Sequence, residues 1–118
     1  MKYAFMNERD KQLVKHINKH YKELLEEMTM VGTFEDFKRE GMLTKAIKMD
    51  ILQIAENINH FSDETIAKLN PKDLRGISDV RNHIVHGYIY VKDDIIWYVI
   101  QDCLPGLINE INNIEKAL

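Results

Sequence analysis

Apolar residues recur at steps of three and four along most of this 118-residue chain, and this period constrains the fold more than any other feature. Such steps place the residues on one face of an α-helix. The first segment, 7–31, repeats apolar residues in this way at Val14, Ile17, Tyr21, Leu24, Met28 and Val31. Five Gly and two Pro are also too few for a loop-rich all-β chain. The sequence therefore predicts an all-α fold.

Local signals divide the first half of the chain into helices. Gly32 is a stop signal for the first helix, and Thr33 with Asp36 resembles a capping box that opens a second helical stretch. Gly41 is expected to break or kink this stretch. The apolar seam then continues through Leu43, Ile47, Ile51, Ile54, Ile58 and Phe61.

The second half predicts three more helices. Ser62 is a plausible N-cap for a short helix that the pair Asn70-Pro71 would end. A fourth helix is predicted from Asp73 to about His86, with Gly87 suited to its C-terminus. Residues 88–91 are predicted to be an extended connector.

The last helix is predicted to begin at Asp93 or Asp94, and Pro105 inside its apolar seam should kink it. The length suits one hydrophobic core, and no repeat or linker divides the chain. Residues 1–118 are therefore predicted to form a single domain, a bundle of four or five helices.

Composition excludes several classes of protein. The longest apolar run, 95–100, is far too short for a membrane span, and no secretory leader follows Met1. The single cysteine, Cys103, excludes an intramolecular disulfide and predicts a reducing, cytoplasmic location. A net charge of −3 argues against a protein that coats nucleic acid non-specifically.

The stretch most informative about chemistry runs Arg81-Asn82-His83-Ile84-Val85-His86-Gly87-Tyr88. An arginine presents a planar, permanently charged fork that suits phosphate, and a histidine exchanges protons near neutral pH. Cleavage of RNA without a metal needs a base for the ribose 2′-hydroxyl and a cation for the phosphate. Arg81 and His86 are therefore the candidate catalytic residues. Since no Cys or His cluster has metal-ligand spacing, no metal or cofactor is predicted.

The spacing of these two residues leaves alternatives open. On a straight helix, Arg81 and His86 lie about 140° apart. They converge if the helix ends near His86 or if two subunits contribute facing helices. The alternative is that both are ordinary polar residues of a helix.

Several landmarks together make the sequence resemble the HepT-like proteins, a minimal branch of the HEPN superfamily. The main one is Arg81-Asn82-x-x-x-His86-x-Tyr88, which matches the R-x4-H-x-Y motif of that family. The others are, in chain order, Phe34-x-x-Phe37, Lys45-Ala46, Ala55-Glu56 and Leu104-Pro105.

This resemblance implies an all-α, homodimeric ribonuclease toxin in which Arg81 and His86 of both subunits meet in a cleft. It implies a partner, a minimal nucleotidyltransferase antitoxin of the MntA type, in a type VII toxin–antitoxin system. The antitoxin would silence the toxin by adenylylating the motif tyrosine, which falls on Tyr88. Family members often have Gly-Glu-Ala where this chain has Ala55-Glu56-Asn57, so the departure concerns the role of Glu56.

Supporting roles are predicted for Asn82, His83, Asp50 and Glu56. Asn82 and His83 would position the substrate or the catalytic pair, or be helix residues with ordinary hydrogen bonds. Asp50 belongs to a polar stripe that either lines the cleft or forms a solvated helix flank. Glu56 falls on another face of that helix and rests mainly on the resemblance.

Two functions remain open at the level of sequence. The first is a metal-independent endoribonuclease that acts on an RNA substrate. The second is a non-catalytic subunit that binds a nucleotide or substrate for a nucleotidyltransferase complex. Both use Arg81 and His86, so the motif does not separate them.

Overall fold

The computed structural model describes residues 6–39, 41–86 and 93–117, and all regular structure within these ranges is helical. The helices are α1 (Glu8–Val31), α2 (Phe34–Lys38), α3 (Met42–Asn59), α4 (Asp63–Ile66), α5 (Pro71–Val85), α6 (Asp93–Tyr98), a π-helical turn (Val99–Cys103) and α7 (Leu104–Lys116). The all-α prediction is confirmed. None of the described helices combines the length and the apolar content needed to cross a lipid bilayer. The predicted stop at Gly87 and the predicted connector at 88–91 lie outside the described residues.

Both ends of α1 follow from capping chemistry. The side chain of Asn7 accepts a hydrogen bond from the backbone N–H of Asp10 at 2.7 Å, which satisfies one of the free donors of the first turn. Gly32 has a φ of 77°, a left-handed conformation that favours glycine, and its N–H bonds to the carbonyl of Met28. The predicted limits of this helix are therefore confirmed.

Gly41 breaks the second helical stretch rather than kinking it. Thr33 caps α2 as predicted, because its hydroxyl oxygen accepts from the backbone N–H of Asp36 at 3.1 Å. The helix then ends at Lys38, and Gly41 takes an extended conformation as the N-cap of α3. The two helices are thus separate.

The prediction that Asn70-Pro71 ends the short helix that follows Ser62 was wrong. Ser62 does cap α4, but α4 ends at Ile66, and Asn70-Pro71 begins the next helix. The side chain of Asn70 accepts from the N–H of Lys72 at 2.9 Å, so it is the N-cap of α5. Pro71 fits the first helical position because an N–H is not needed there.

The C-terminal helices follow one another without a break, and a π turn lies just before Pro105. The N–H of Leu104 bonds to the carbonyl of Val99, five residues back instead of four. A proline ring clashes with the carbonyl four residues earlier in an α-helix. For Pro105 that carbonyl belongs to Gln101, inside the wider turn, so the chain accommodates the proline there.

α3 packs against both α1 and α5, and this arrangement positions the candidate site. The core between the helices is aliphatic, with its fully buried side chains at Ile17, Leu24, Ile47, Ile51, Ile54, Leu104, Leu107 and Ile111. Trp97 of α6 covers one end, where its ring lies 5.3 Å from that of Phe37 and 5.7 Å from that of Phe34. Packing of this kind fixes the rotation of α3 about its axis, and with it the direction of its polar side chains.

A buried carboxylate ties the start of α1 to α4. Asp10 is fully buried, and its side chain accepts hydrogen bonds from the hydroxyl of Ser62 at 2.6 Å and from that of Thr65 at 2.7 Å. The backbone N–H of Ser62 also donates to Asp10, at 3.2 Å. Since a buried carboxylate is costly unless its oxygens are bonded, this network stabilises α4 at the point where the chain turns toward α5.

Candidate active site

The candidate motif occupies the C-terminal end of α5. The helix ends at Val85, and His86 is its C-cap, with a backbone N–H that bonds to the carbonyl of Asn82 at 3.1 Å. The predicted end of the helix near His86 is therefore confirmed.

Arg81 is held by a carboxylate from the neighbouring helix. Its Nε donates to Oε1 of Glu56 on α3 at 2.5 Å, and its Nη1 donates to Oδ1 of Asn82 at 3.2 Å. A guanidinium carries five N–H donors, so three have no bond to the described part of the chain and can bind an anion. The side chains of Arg81 and Glu56 are 31% and 32% exposed, so a ligand can reach the pair from solvent.

The helical period predicted that Glu56 lies on a different face of α3 from the polar stripe. In the structure this side chain meets α5. Ala55 and Ile58, on either side of Glu56 in the sequence, are buried, and this holds the turn against α5. Glu56 and Arg81 are 25 residues apart in sequence, yet they form the ion pair of the site.

The two histidines of the motif have different surroundings. His86 is exposed, whereas His83 is half-buried in the last turn of α5. Arg81 directs its hydrogen bonds to Glu56 and Asn82. The chain thus presents the arginine and the histidine at the same helix end, with the arginine held from the side of α3.

Asp50 is not brought to Arg81 among the described contacts. It is buried, and its Oδ1 lies 3.0 Å from Nδ1 of His20 on α1. Gln53 and Asn57 are the other two members of the predicted polar stripe. They bond to each other within α3, since the side-chain amide of Asn57 donates to the backbone carbonyl of Gln53 at 2.7 Å. Asp50 therefore joins α1 to α3.

Asp50 also takes part in an acidic group with α1. Burial raises the pKa of Glu27 from 4.5 to about 8, assisted by a hydrogen bond with Asp50 and by the charges of Asp50, Glu23 and Glu26. Ligand atoms of His20, Glu23 and Asp50 lie within 4.8 Å of one another, close enough to hold a metal ion. The bond between His20 and Asp50 already accounts for the closeness of these two side chains.

A cavity of about 170 Å³ opens beside Arg81, between α3, α4 and α5. Its apolar lining comes from Ala55, Ile58, Ile66, Leu74 and Ile77. Its polar lining consists of Asn59, Ser78 and Arg81, and both Asn59 and Ser78 are exposed at the surface.

The sequence analysis did not identify Asn59 and Ser78, although each lies one helical turn from a residue of the ion pair. Asn59 follows Glu56 by three residues on α3, and Ser78 precedes Arg81 by three residues on α5. Side chains three apart share a helix face. The Glu56–Arg81 pair therefore extends along both helices into a polar rim for the cavity.

Tyr88, the predicted modification site, lies outside the described residues.

Comparison with known proteins adds to the geometry. A family model described as "Ribonuclease HepT-like" matches residues 18–114. A "Putative RNase" of Methanocaldococcus jannaschii is 26% identical over 86 residues, which cover 73% of this chain and 71% of that protein.

A second "Putative RNase", from Caldanaerobacter subterraneus subsp. tengcongensis, is 27% identical over 101 residues, 86% of this chain and 89% of that protein. No solved structure is significantly similar to the chain.

Proposed function

The chain belongs to the HepT-like ribonuclease family, and on that premise we propose that it is a metal-independent endoribonuclease toxin that cleaves RNA with Arg81 and His86. The observation that carries the proposal is the ion pair between Glu56 and Arg81. This pair orients an accessible guanidinium whose remaining N–H donors suit a phosphate. The exposed His86 at the end of the same helix supplies a group that exchanges protons near neutral pH.

The proposed reaction is a transfer within one ribose phosphate. An unprotonated histidine takes the proton of the 2′-hydroxyl, and the 2′-oxygen forms a bond to phosphorus. The bond from phosphorus to the 5′-oxygen breaks, and a protonated histidine gives that oxygen a proton. The products are a 2′,3′-cyclic phosphate and a 5′-hydroxyl end. Arg81 stabilises the added negative charge on the phosphate oxygens as they become five-coordinate around phosphorus.

A homodimer completes the proposed site. The reaction uses one histidine as a base and another as an acid, or one histidine in both roles in turn. Two α5 helices that face each other would place His86 opposite His86 of the partner subunit, with Arg81 between them. The angle of about 140° between Arg81 and His86 along a straight helix favours this arrangement.

We propose that the partner of this toxin is a nucleotidyltransferase antitoxin that adenylylates Tyr88. Tyr88 follows His86 by two residues in the sequence. An AMP group joined to Tyr88 would add a phosphate close in sequence to Arg81. This phosphate would compete with the RNA phosphate for the guanidinium of Arg81. Inhibition by this route needs no change of fold.

The test is to incubate the purified protein with total RNA in EDTA and follow cleavage on a gel. We expect cleavage by the wild type, and none by Arg81→Ala or His86→Ala. Arg75→Ala, on the exposed surface of the same helix, and His60→Ala, the exposed C-cap of α3, are matched controls that should retain activity.

Either site variant with full activity would contradict the catalytic assignment. A wild type that binds nucleotides and cleaves no RNA would support the alternative, a non-catalytic nucleotide-binding subunit of a nucleotidyltransferase complex. Circular dichroism of each variant separates loss of activity from loss of fold.

A further inference from the structure

The cavity beside Arg81 has the chemistry of a site for a flat ring with polar edges. Its volume of about 170 Å³ is several times the roughly 30 Å³ that one water molecule occupies. Its apolar lining is aliphatic and includes Ile58 and Ile77, both buried and therefore held in place by the core. Its polar lining, Asn59, Ser78 and Arg81, offers both donors and acceptors.

We propose that this cavity binds the nucleobase of the RNA nucleotide whose phosphate Arg81 holds. The proposal rests on the proposed function and names its substrate class: RNA that is single-stranded at the cleavage site. A paired and stacked base cannot enter a cavity inside the protein, whereas an unpaired base can be splayed out and bound on both its face and its edge.

Arg81 connects the cavity to the chemistry. The same residue forms part of the cavity lining and carries the guanidinium donors that have no bond to the described residues. Base and phosphate of one nucleotide are joined by a single ribose. A base inside the cavity therefore places its own phosphate on the side of the cavity that Arg81 lines. It also positions the RNA relative to His86 at the end of α5.

The two small polar residues provide the means to discriminate between bases. The side-chain amide of Asn59 has an acceptor oxygen and two N–H donors, and the hydroxyl of Ser78 both donates and accepts. They lie on different helices, α3 and α5, so they approach a bound base from two sides. The aliphatic lining contacts the faces of any base, while these two residues contact its edge.

The experiment uses single-stranded RNA oligonucleotides that differ only in the base next to the cleaved phosphate, including one with an abasic ribose there. Contact of a base with the aliphatic lining removes apolar surface from water, so we expect the wild type to cleave the abasic substrate at least about fivefold more slowly. Asn59→Ala should reduce the discrimination between bases. Asn113→Ala, an exposed asparagine on α7, is the matched control and should leave it unchanged.

Two variants at one position test occupancy of the cavity. Ser78→Ala keeps the cavity open, whereas Ser78→Phe fills it from an exposed position that does not disturb the core. We expect Ser78→Phe to raise KM by about tenfold or more for substrates with a base and to leave the abasic substrate unaffected. Ser78→Ala should raise KM far less.

The outcomes separate this proposal from the proposed function. Cleavage by the wild type that Arg81→Ala abolishes, but that Asn59→Ala and Ser78→Phe leave unchanged, would overturn the base pocket and leave the ribonuclease in place. A wild type that cleaves no RNA would overturn both. A change in the molar mass in solution of Ser78→Phe by light scattering would show that another subunit covers the cavity, which also overturns the base pocket.

Discussion

Glu56 on α3 accepts a hydrogen bond at 2.5 Å from Nε of Arg81 on α5, so two neighbouring helices deliver one ion pair to the rim of the candidate site. The bond occupies Nε of the guanidinium and leaves N–H groups of its other nitrogens for a phosphate. Glu56 is therefore proposed as a positioning residue that acts through Arg81.

The first prediction concerns this pair. Glu56→Ala should lower kcat for RNA cleavage by about tenfold, because a hydrogen bond to a charged group contributes about 1.5–3 kcal/mol and this one is partly exposed. Glu56→Gln, which keeps the acceptor oxygen, should lose less. Steady-state kinetics would measure both. In an Arg81→Ala background the Glu56→Ala substitution should have no further effect, and a loss that persisted there would contradict a role through Arg81.

The second prediction concerns assembly. The molar mass by light scattering at micromolar concentration should be about twice the 13.9 kDa of one chain. Val85, at the end of α5, is 47% exposed, and a charge there should weaken an interface built on this helix. Val85→Glu should therefore shift the protein toward the monomer and reduce cleavage. Met42→Glu, on a side chain 89% exposed at the start of α3, is the control. A monomeric wild type would contradict the shared site.

The third prediction concerns Tyr88. Co-expression with a nucleotidyltransferase of the proposed antitoxin type should increase the intact mass of the chain by one or more AMP groups and suppress toxicity. Tyr88→Phe should lose the mass increase and remain toxic, because it lacks the hydroxyl that accepts the adenylyl group. If the partner neutralises a wild type of unchanged mass, control works by binding alone.

The fourth prediction concerns the buried carboxylate of Asp10. Asp10→Ala removes the acceptor for the Ser62 and Thr65 donors and leaves them unsatisfied, so it should lower the free energy of unfolding by about 3 kcal/mol. Urea denaturation would measure this. Asp63→Ala, in the first turn of the same short helix but exposed, should cost less than about 1 kcal/mol. Equal losses in the two variants would show that the buried network adds nothing.

The fifth prediction concerns pH. The pKa of Glu27 is about 8 in the folded protein and 4.5 without the fold, so the folded state binds the proton more tightly. The free energy of unfolding should therefore fall as pH rises from about 4.5 to about 8, with the stabilisation by this proton fully present only below 4.5. Glu27→Gln, which mimics the protonated group, should flatten this dependence in urea titrations. Glu26→Gln removes only the smallest of the contributions to the raised pKa of Glu27, so it should flatten the dependence far less. An unchanged slope in Glu27→Gln would contradict the assignment.

Local chemistry made much of this fold predictable. Gly32, Thr33 and Ser62 act on backbone groups within four residues of themselves, and the helix ends that they predicted are confirmed. Asn70-Pro71 was misassigned because the same pair can follow one helix or begin the next, and only the short length of α4 decides between them.

The contacts that build the candidate site were harder to predict, because they depend on how helices rotate against each other. Glu56 reaches Arg81, and Asp50 reaches His20, across interfaces set by the packing of α3 between α1 and α5. Periodicity places a residue on a face of its own helix, but it does not say which helix that face meets. The motif on α5 was visible from the sequence, whereas its partner on α3 was suggested only by family resemblance.

The π turn at Val99–Cys103 makes the number of residues in this stretch more important than their identity. The wider turn takes up one residue more than an α-helical turn, so one further residue inserted there would rotate everything after it by about 100° relative to what came before. The seam of Leu107 and Ile111 would then leave the core, and solvent-facing residues of α7 would replace it. The stretch should accept many substitutions of similar size and reject insertions, whereas a relative that lacks the π turn should have one residue fewer there.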